Sequence, residues 1–369
     1  MRSGQGKLER ELLALERSLV ARAGELALFL VYDRPGRVDE RPELARQFFA
    51  QRCVSDAQLN QTIEAFRSVG AYVELFDGEL PFIDALASGR LHAVERDLRV
   101  VYNGIEGGIG AGGFEPGRKA LIPAVADAYD LVCANSNAHA CALGRHKFHY
   151  FTVLRALGIP TPAVWHYRPV DGWAGDRPPP LGTKVIAKST YESWSVGVTD
   201  DSIFVADSST DARVAAIAHD IGQAVTVQEF VSGPEVCVPV LAYPERIVAP
   251  PVEVILAKAP GEPDAVMTID DNLEHAAIAY SPFAGPAQVN SDLQASSLAA
   301  FDVLELQAFA RIDFRVDSGG TAWLTDVGVS PGLSRTGAAF ASLAELGFDH
   351  AGFLRVVVAA TLASRGLLG

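Results

Sequence analysis

Lys188 closes the apolar run VIAK, and the polar segment STYESWSVG follows it as residues 189–197. An ammonium at the end of a buried strand can meet phosphate oxygens. The hydroxyls of Ser189, Thr190, Ser193 and Ser195 and the permissive Gly197 suit a loop that folds over the same oxygens with its N–H groups. The plain alternative is a snorkelling edge lysine. The chain has six lysines, so each placement is informative. Lys147, within GRHKFHYFTVLRALG (144–158), is a second cation, and a solvated helical lysine is its plain alternative.

QEFVSGPE (228–235) reads as a strand ending in an apolar hinge and a Ser-Gly-Pro turn. The backbone of Glu229 to Val231 can pair with a purine edge, and Glu235 can accept from ribose hydroxyls; an ordinary hairpin with an exposed Glu is the competing reading. RIDFRVDSGGTAWLTDVGVSPG (311–332) places Asp313 and Asp326 on two strands joined by DSGG, where they face each other across a hairpin. Two carboxylates with oxygen-only chemistry suit Mg²⁺ holding ATP phosphates, with Mn²⁺ as a substitute. Asp313 pairing with Arg311 or Arg315 is the simpler alternative. The SPG that follows opens a loop into a helix whose N–H groups can hold an anion such as a substrate carboxylate, near Gly332, Ser334 and Arg335.

These groups need a scaffold. ALFLVY (27–32), AYVELF and LRVVYN (98–103) read as strands alternating with helices at PELARQFFAQ, DAQLNQTIEAFRSVG and FIDALASG. That order predicts a doubly wound parallel sheet, with the glycine-rich NGIEGGIGAGGFEPG (103–117) leaving a strand's C-terminal end, where such sheets place ligands. LVCAN (131–135) is a further strand, and residues 144–158 one helix. The Pro- and Gly-rich stretch 168–182 reads as a surface connection. Beyond it the alternation stops: TKVIAKS, SIFVAD, AVTVQEFV, EVCVPVLA, IVAPPVEVILA, FARIDFRVD and TAWLTDVG are strands, with helices at 209–221, 291–307, 336–347 and 349–365. This is α+β with antiparallel pairs. The expected division is an N-terminal α/β domain (1–135), a central lobe (136–228) and a C-terminal lobe (229–369).

The chain has 369 residues, enough for two or three domains, and 49% hydrophobic content supports a sizeable core. A formal charge of −14 argues against a nucleic-acid surface. The four cysteines form no C-x-x-C pair, so free thiols in a reducing cytoplasm are expected. KLERELLALERSLVARAG is an amphipathic helix (7–23) rather than a signal peptide, and the longest apolar runs fall short of the ~20 residues of a membrane span.

Taken in order, VYNGIEGG, GRHKFHYFTVLRALGIPTP, VIAKSTYESWSVG, VQEFVSGPE and ARIDFRVDSGGTAWLTDVGVSPG resemble the D-alanine–D-alanine ligase branch of the ATP-grasp family, over residues about 100–360. The resemblance implies an ATP-grasp fold whose central and C-terminal lobes enclose ATP. It implies phosphate contacts from Lys147 and Lys188, a phosphate-covering loop at Glu192, Ser193, Trp194 and Ser195, an adenine site at Glu229, Phe230 and Val231, and ribose binding by Glu235. Asp313 and Asp326 would hold Mg²⁺, and Arg311 would steady an acyl phosphate. The implied reaction joins a small-molecule carboxylate to an amine through that acyl phosphate, in a homodimer to which helix 7–23 can contribute. An intramolecular cyclo-ligase or a kinase-like phosphotransferase on the same fold is the alternative, and a non-catalytic nucleotide-binding protein a third.

Four departures fall on substrate and metal recognition. Asp326-Val327-Gly328 stands where the family has Glu-x-Asn, so one metal site is expected to be weaker. The amino-terminal Ser-x-Glu is absent, and YDRPGRVDE offers Arg34 and Arg37, which favour a carboxylate over an ammonium. Trp194 replaces a small serine. Asp270 and Asp271 stand where the mobile loop carries Tyr and Lys, and Lys258 has no assigned place. The expectation is a carboxylate–amine ligase acting on something other than D-alanine, in a specialised biosynthetic pathway.

Overall fold

The computed structural model describes residues 2–34, 53–105, 117–243, 245–274 and 276–368. Arg37, the helix expected at PELARQFFAQ and most of the glycine-rich loop after Asn103 lie outside the described residues.

The first layer follows from β1 (Leu26–Tyr32), which is buried along its whole length. Strand side chains alternate, so one strand feeds two cores. Leu26, Leu28, Leu30 and Tyr32 join one, and Ala27, Phe29 and Val31 the other. Four parallel strands form this sheet in the order β2-β1-β3-β4, with β2 at Tyr72–Asp77, β3 at Leu98–Asn103 and β4 at Val132–Cys133. Helices α1 (Arg2–Ala21) and α2 (Asp56–Arg67) cover one face, and α3 (Glu79–Ala87) and α4 (Leu121–Ala128) the other. The sheet is therefore doubly wound.

Two helices, α5 (Ala138–Arg145) and α6 (Lys147–Ala156), stand where one was expected over 144–158. His146 breaks the run: it is extended, at φ −101° and ψ 90°, and its side chain caps α6 by accepting from the N–H of His149. The restart places Lys147 at the first helical position, where its N–H has no partner within the helix, and it donates to Thr190 O at 3.2 Å.

The middle sheet is antiparallel, in the order β6-β5-β9-β7-β8. It contains β5 (Val164–Arg168), β6 (Gly172–Trp173), β7 (Lys184–Ser189), β8 (Ile203–Val205) and β9 (Val225–Glu229), with α7 (Thr210–Ile221) packed on it. The Pro- and Gly-rich stretch is more than a connection, because Arg168 and Gly172 pair within it and Trp173 pairs with the preceding Tyr167, forming a hairpin.

The last sheet runs β13-β12-β10-β14-β15, with β11 paired to β10. Its strands are β10 (Glu235–Leu241), β11 (Ile247–Val248), β12 (Val252–Leu256), β13 (Ile278–Pro282), β14 (Phe309–Val316) and β15 (Ala322–Gly328). The single strand expected at IVAPPVEVILA is split, since Pro250 and Pro251 have no N–H to give a ladder. The short helix α8 (Ile269–Leu273) and β13 were not anticipated. Helices α9 (Ala287–Val303) and α10 (Ala338–Ala344) pack on this sheet.

The final helix, α11 (His350–Ser364), leaves the last sheet and completes the first core beside α1 and α2. Arg355 fixes it there, bonding Glu16 at 2.7 Å and Ala65 O at 3.1 Å. The apolar face of α1 (Leu12, Leu15, Leu19) is thus buried within the chain.

The turn between β9 and β10 depends on Gly233. Its φ is 142°, and a Cβ there would lie 1.8 Å from Val316 O. Gly233→Ala is expected to displace the turn at a cost of at least about 1–3 kcal/mol. The checks are a lower melting temperature and weaker ATP binding, because the turn carries the hinge that precedes it.

Candidate active site

A cavity of about 420 Å³ reaches from the middle and last sheets to the C-terminal ends of the first. Lys147 arrives from the start of α6, Lys188 from the penultimate position of β7, and Asp313 and Asp326 from facing positions on β14 and β15. Burial lowers the pKa of both ammonium groups, and the charge of Asp326 is the main force opposing that shift in each. Burial alone would raise the Asp326 carboxyl, but Lys147 and Lys188, together with hydrogen bonds from Tyr150 and the Val327 N–H, hold it below the usual carboxylate range. The four side chains line one hollow.

Each has further partners. Lys188 Nζ donates to Thr325 O at 3.4 Å, and Lys147 Nζ to Glu192 O at 2.5 Å. Of the two arginines weighed for Asp313, Arg311 takes both its oxygens, at 2.7 and 2.6 Å. Arg315 instead donates to the carbonyls of Gly233, Pro263 and Ala265. It also lies 4.9 Å from the Phe230 ring centroid, with Lys184 Nζ at 4.8 Å. Two cations thus hold the ring that borders the hinge. The N–H groups of Glu229 and Phe230 already donate to Ala163 O and Lys184 O. Glu235 is raised by burial despite Arg315 nearby.

The loop after Lys188 has an unexpected anchor. The Glu192 side chain is buried, with its carboxylate turned to Arg118 at 2.7 Å and Arg145 at 3.7 Å, while Gln223 donates to it at 3.2 Å. Its carboxylate is engaged with the protein, and what it presents to Lys147 is its carbonyl. Trp194 and Ser195 are both left-handed, at φ 61° and 55°. Two successive non-glycine residues in that region signal a backbone held by its surroundings. Ser195 Oγ accepts from Asn272 Nδ2 at 3.3 Å. Lys258 pairs with Asp271 at 2.8 Å and Asp200 at 3.3 Å. It therefore ties α8 to the turn before β8, and Asp271 also caps α8.

The far end of the cavity lies over the first sheet. Tyr32 and Tyr102 stack there at 5.9 Å, among Val54, Thr62 and His350. Gly332 and Ser334 also line this end. Ser330 Oγ donates to Asn103 O at 3.1 Å and accepts from Asn135 at 2.6 Å, which holds the SPG loop against β3. Arg335 is exposed and is not among the lining residues. Arg34 also lies outside the lining, in an exposed pair with Asp56 at 2.7 Å. The carboxylate-binding role expected of Arg34 is therefore not supported, because an acidic neighbour on α2 draws the guanidinium to the surface.

Sequence reasoning missed Arg118, Arg145 and Asn272, whose partners lie far along the chain. It also missed Tyr150, whose hydroxyl donates to Asp326 Oδ1 at 2.6 Å. The three-residue spacing from Lys147, on one helix face, was the available signal.

Residues 176–358 match the family model described as D-ala D-ala ligase C-terminus. A D-alanine–D-alanine ligase of Desulforudis audaxviator is 26% identical over 285 residues, 75% of this chain and 86% of that protein. One from Bordetella avium is 27% identical over 274 residues, covering 73% and 78%. Among solved structures, a D-alanine–D-alanine ligase from Bacillus anthracis complexed with ATP superposes with a TM-score of 0.67 at 14% identity, covering 92% of this chain and 99% of that one. The VanG D-Ala:D-Ser ligase of Enterococcus faecalis gives 0.61 at 13%, covering 91% and 99%.

Proposed function

Because this chain belongs to the D-alanine–D-alanine ligase-like branch of the ATP-grasp family and is an ATP-dependent carbon–nitrogen ligase, we propose that it joins a carboxylate other than D-alanine to an amine, in a specialised biosynthetic pathway. The observation that carries the ligase chemistry is the meeting of Lys147, Lys188, Asp313 and Asp326 in one cavity.

In this reading a substrate carboxylate oxygen attacks the γ-phosphorus of ATP. The bond to the β,γ-bridging oxygen breaks and ADP leaves. The amine nitrogen then attacks the acyl carbon, the C–N bond forms, inorganic phosphate departs, and the nitrogen gives its proton to solvent or phosphate. Lys147 and Lys188 face the phosphates, and Arg311, set by Asp313, faces the charge developing on the acyl phosphate. Ser193, Trp194 and Ser195 cover the phosphates. Val231 N–H meets the adenine edge, and Glu235 takes the ribose. Catalysis rests on positioning and preorganised charge, with water excluded by the loops.

Asp313 and Asp326 would hold Mg²⁺. The fit is a matter of chemistry. Both donors are hard carboxylates in facing register, and Mg²⁺ is commonly held by one or two carboxylates plus phosphates and waters; each Asp313 oxygen already accepts from Arg311 and would meet the ion through its remaining lone pair, while Asp326 Oδ2 is the freer donor. No group of three His, Cys, Asp or Glu suited to a metal occurs among the described residues, and Gly328 adds no side-chain oxygen. Bound there, the ion would neutralise phosphate charge.

The choice against D-alanine is supported by the cavity's far end. A stacked tyrosine pair, Val54 and Thr62 border it, which suits a bulkier and less polar acid. The test is ADP release over a matrix of acids and amines, with product masses. ADP formation is expected to need one member of each class, with D-alanine a poor substrate in both positions. Efficient D-alanyl-D-alanine synthesis would refute the substrate assignment, and ADP release with an acid alone would favour a phosphotransferase.

A further inference from the structure

Tyr150 lies on α6 one helical turn after Lys147, is fully buried, and packs among Phe151, Leu154, Ile159 and Leu324. A phenylalanine would satisfy that apolar surround. The hydroxyl needs a partner of its own, and it has one in the cavity: it donates to Asp326 Oδ1 at 2.6 Å. The N–H of Val327 donates to the same oxygen at 2.9 Å. Both hydrogen bonds to Asp326 therefore fall on one oxygen, while the half-buried carboxylate borders the cavity. Hydrogen bonds to a charged acceptor are roughly twice as strong as neutral ones. Two of them on Oδ1 fix the torsion of a side chain that could otherwise swing toward Lys147 or Lys188.

We infer that Tyr150 is a positioning residue that turns Asp326 Oδ1 toward the protein and presents Oδ2 to a divalent cation carrying the nucleotide phosphates. The inference rests on the reading of Asp326 as a metal-binding residue. Helix α6 then contributes twice to one phosphate site, with a cation from Lys147 and with carboxylate orientation from Tyr150. Partners that orient a ligating group typically change metal affinity by about 10–100-fold when removed.

Tyr150→Phe keeps the ring and removes the hydroxyl. Its Mn²⁺ affinity, read by electron paramagnetic resonance of free Mn²⁺ at saturating adenylyl imidodiphosphate, is expected to fall by about 10–100-fold. Binding of the same nucleotide without metal, read by calorimetry, is expected to be unchanged. Asp326→Asn should weaken Mn²⁺ at least as much, and adding Tyr150→Phe to it should cause no further loss. If Asp326→Asn leaves Mn²⁺ affinity intact, the metal reading of Asp326 fails. If Asp326→Asn weakens Mn²⁺ but Tyr150→Phe lowers only the melting temperature, Asp326 keeps its role and the positioning role of Tyr150 is overturned.

Discussion

Lys188→Met is expected to lower ATP-dependent turnover by at least about 10²–10³-fold, the usual loss when one preorganised charge-stabilising donor is removed. The ammonium sits at the end of β7 in a buried setting that opposes its charge, balanced chiefly by Asp326. Methionine has nearly the same length and no charge, so the strand keeps its packing and loses a desolvated cation. Lys147 still faces Asp326, so the melting temperature should fall only modestly while ADP release collapses. An unchanged rate of ADP release would remove Lys188 from the phosphate site.

Glu192→Gln is expected to act through stability first. The carboxylate lies between Arg118 and Arg145, with Arg118 Nη2 at 2.7 Å from each of its oxygens. Neutralising one member of such a buried group costs about 3–5 kcal/mol, because the remaining charges stay desolvated. The Glu192 carbonyl also accepts from Lys147 Nζ, so a loosened loop weakens ATP binding as a second effect. The checks are thermal unfolding and ATP titration on the same preparation. Loss of ATP affinity with an unchanged melting temperature would instead mean that the carboxylate itself meets the nucleotide.

The parts of the fold that local pattern dictates are legible in the sequence. β1 is a short apolar run whose alternating sides feed two cores, and the ends of α11 follow from a capping Asp349 and a long apolar stretch. The hairpin joining Asp313 to Asp326 was readable from DSGG, because a turn fixes strand register. Three things were not legible. His146 splits a continuous helical pattern because a side-chain cap overrides periodicity there. The Arg118–Glu192 pair spans 74 residues, and no local spacing announces it. Arg34 was read as a substrate cation from its neighbours in sequence, whereas Asp56 on a later helix sets its direction. Long-range polar pairing is the common element in the last two. It depends on topology, which periodicity does not encode.

The same distinction separates the two ends of the cavity. The proposed phosphate end is built from strand termini and a helix start whose sequences carry their own signals. The end over the first sheet is assembled from Tyr32, Val54, Thr62, Tyr102 and His350, five residues of unremarkable local context. In the proposed reading, substrate choice falls where the sequence speaks least.

The central claim is that ATP activates a carboxylate before an amine attacks it. The most direct measurement uses the acid that gives the highest ADP release, labelled with ¹⁸O in its carboxylate, with ATP, Mg²⁺ and the amine, followed by mass analysis of the phosphate formed. One labelled oxygen in each inorganic phosphate, with equal amounts of phosphate and amide, is the predicted result. Unlabelled phosphate accompanying amide formation would contradict an acyl phosphate and the assignment of this cavity to it.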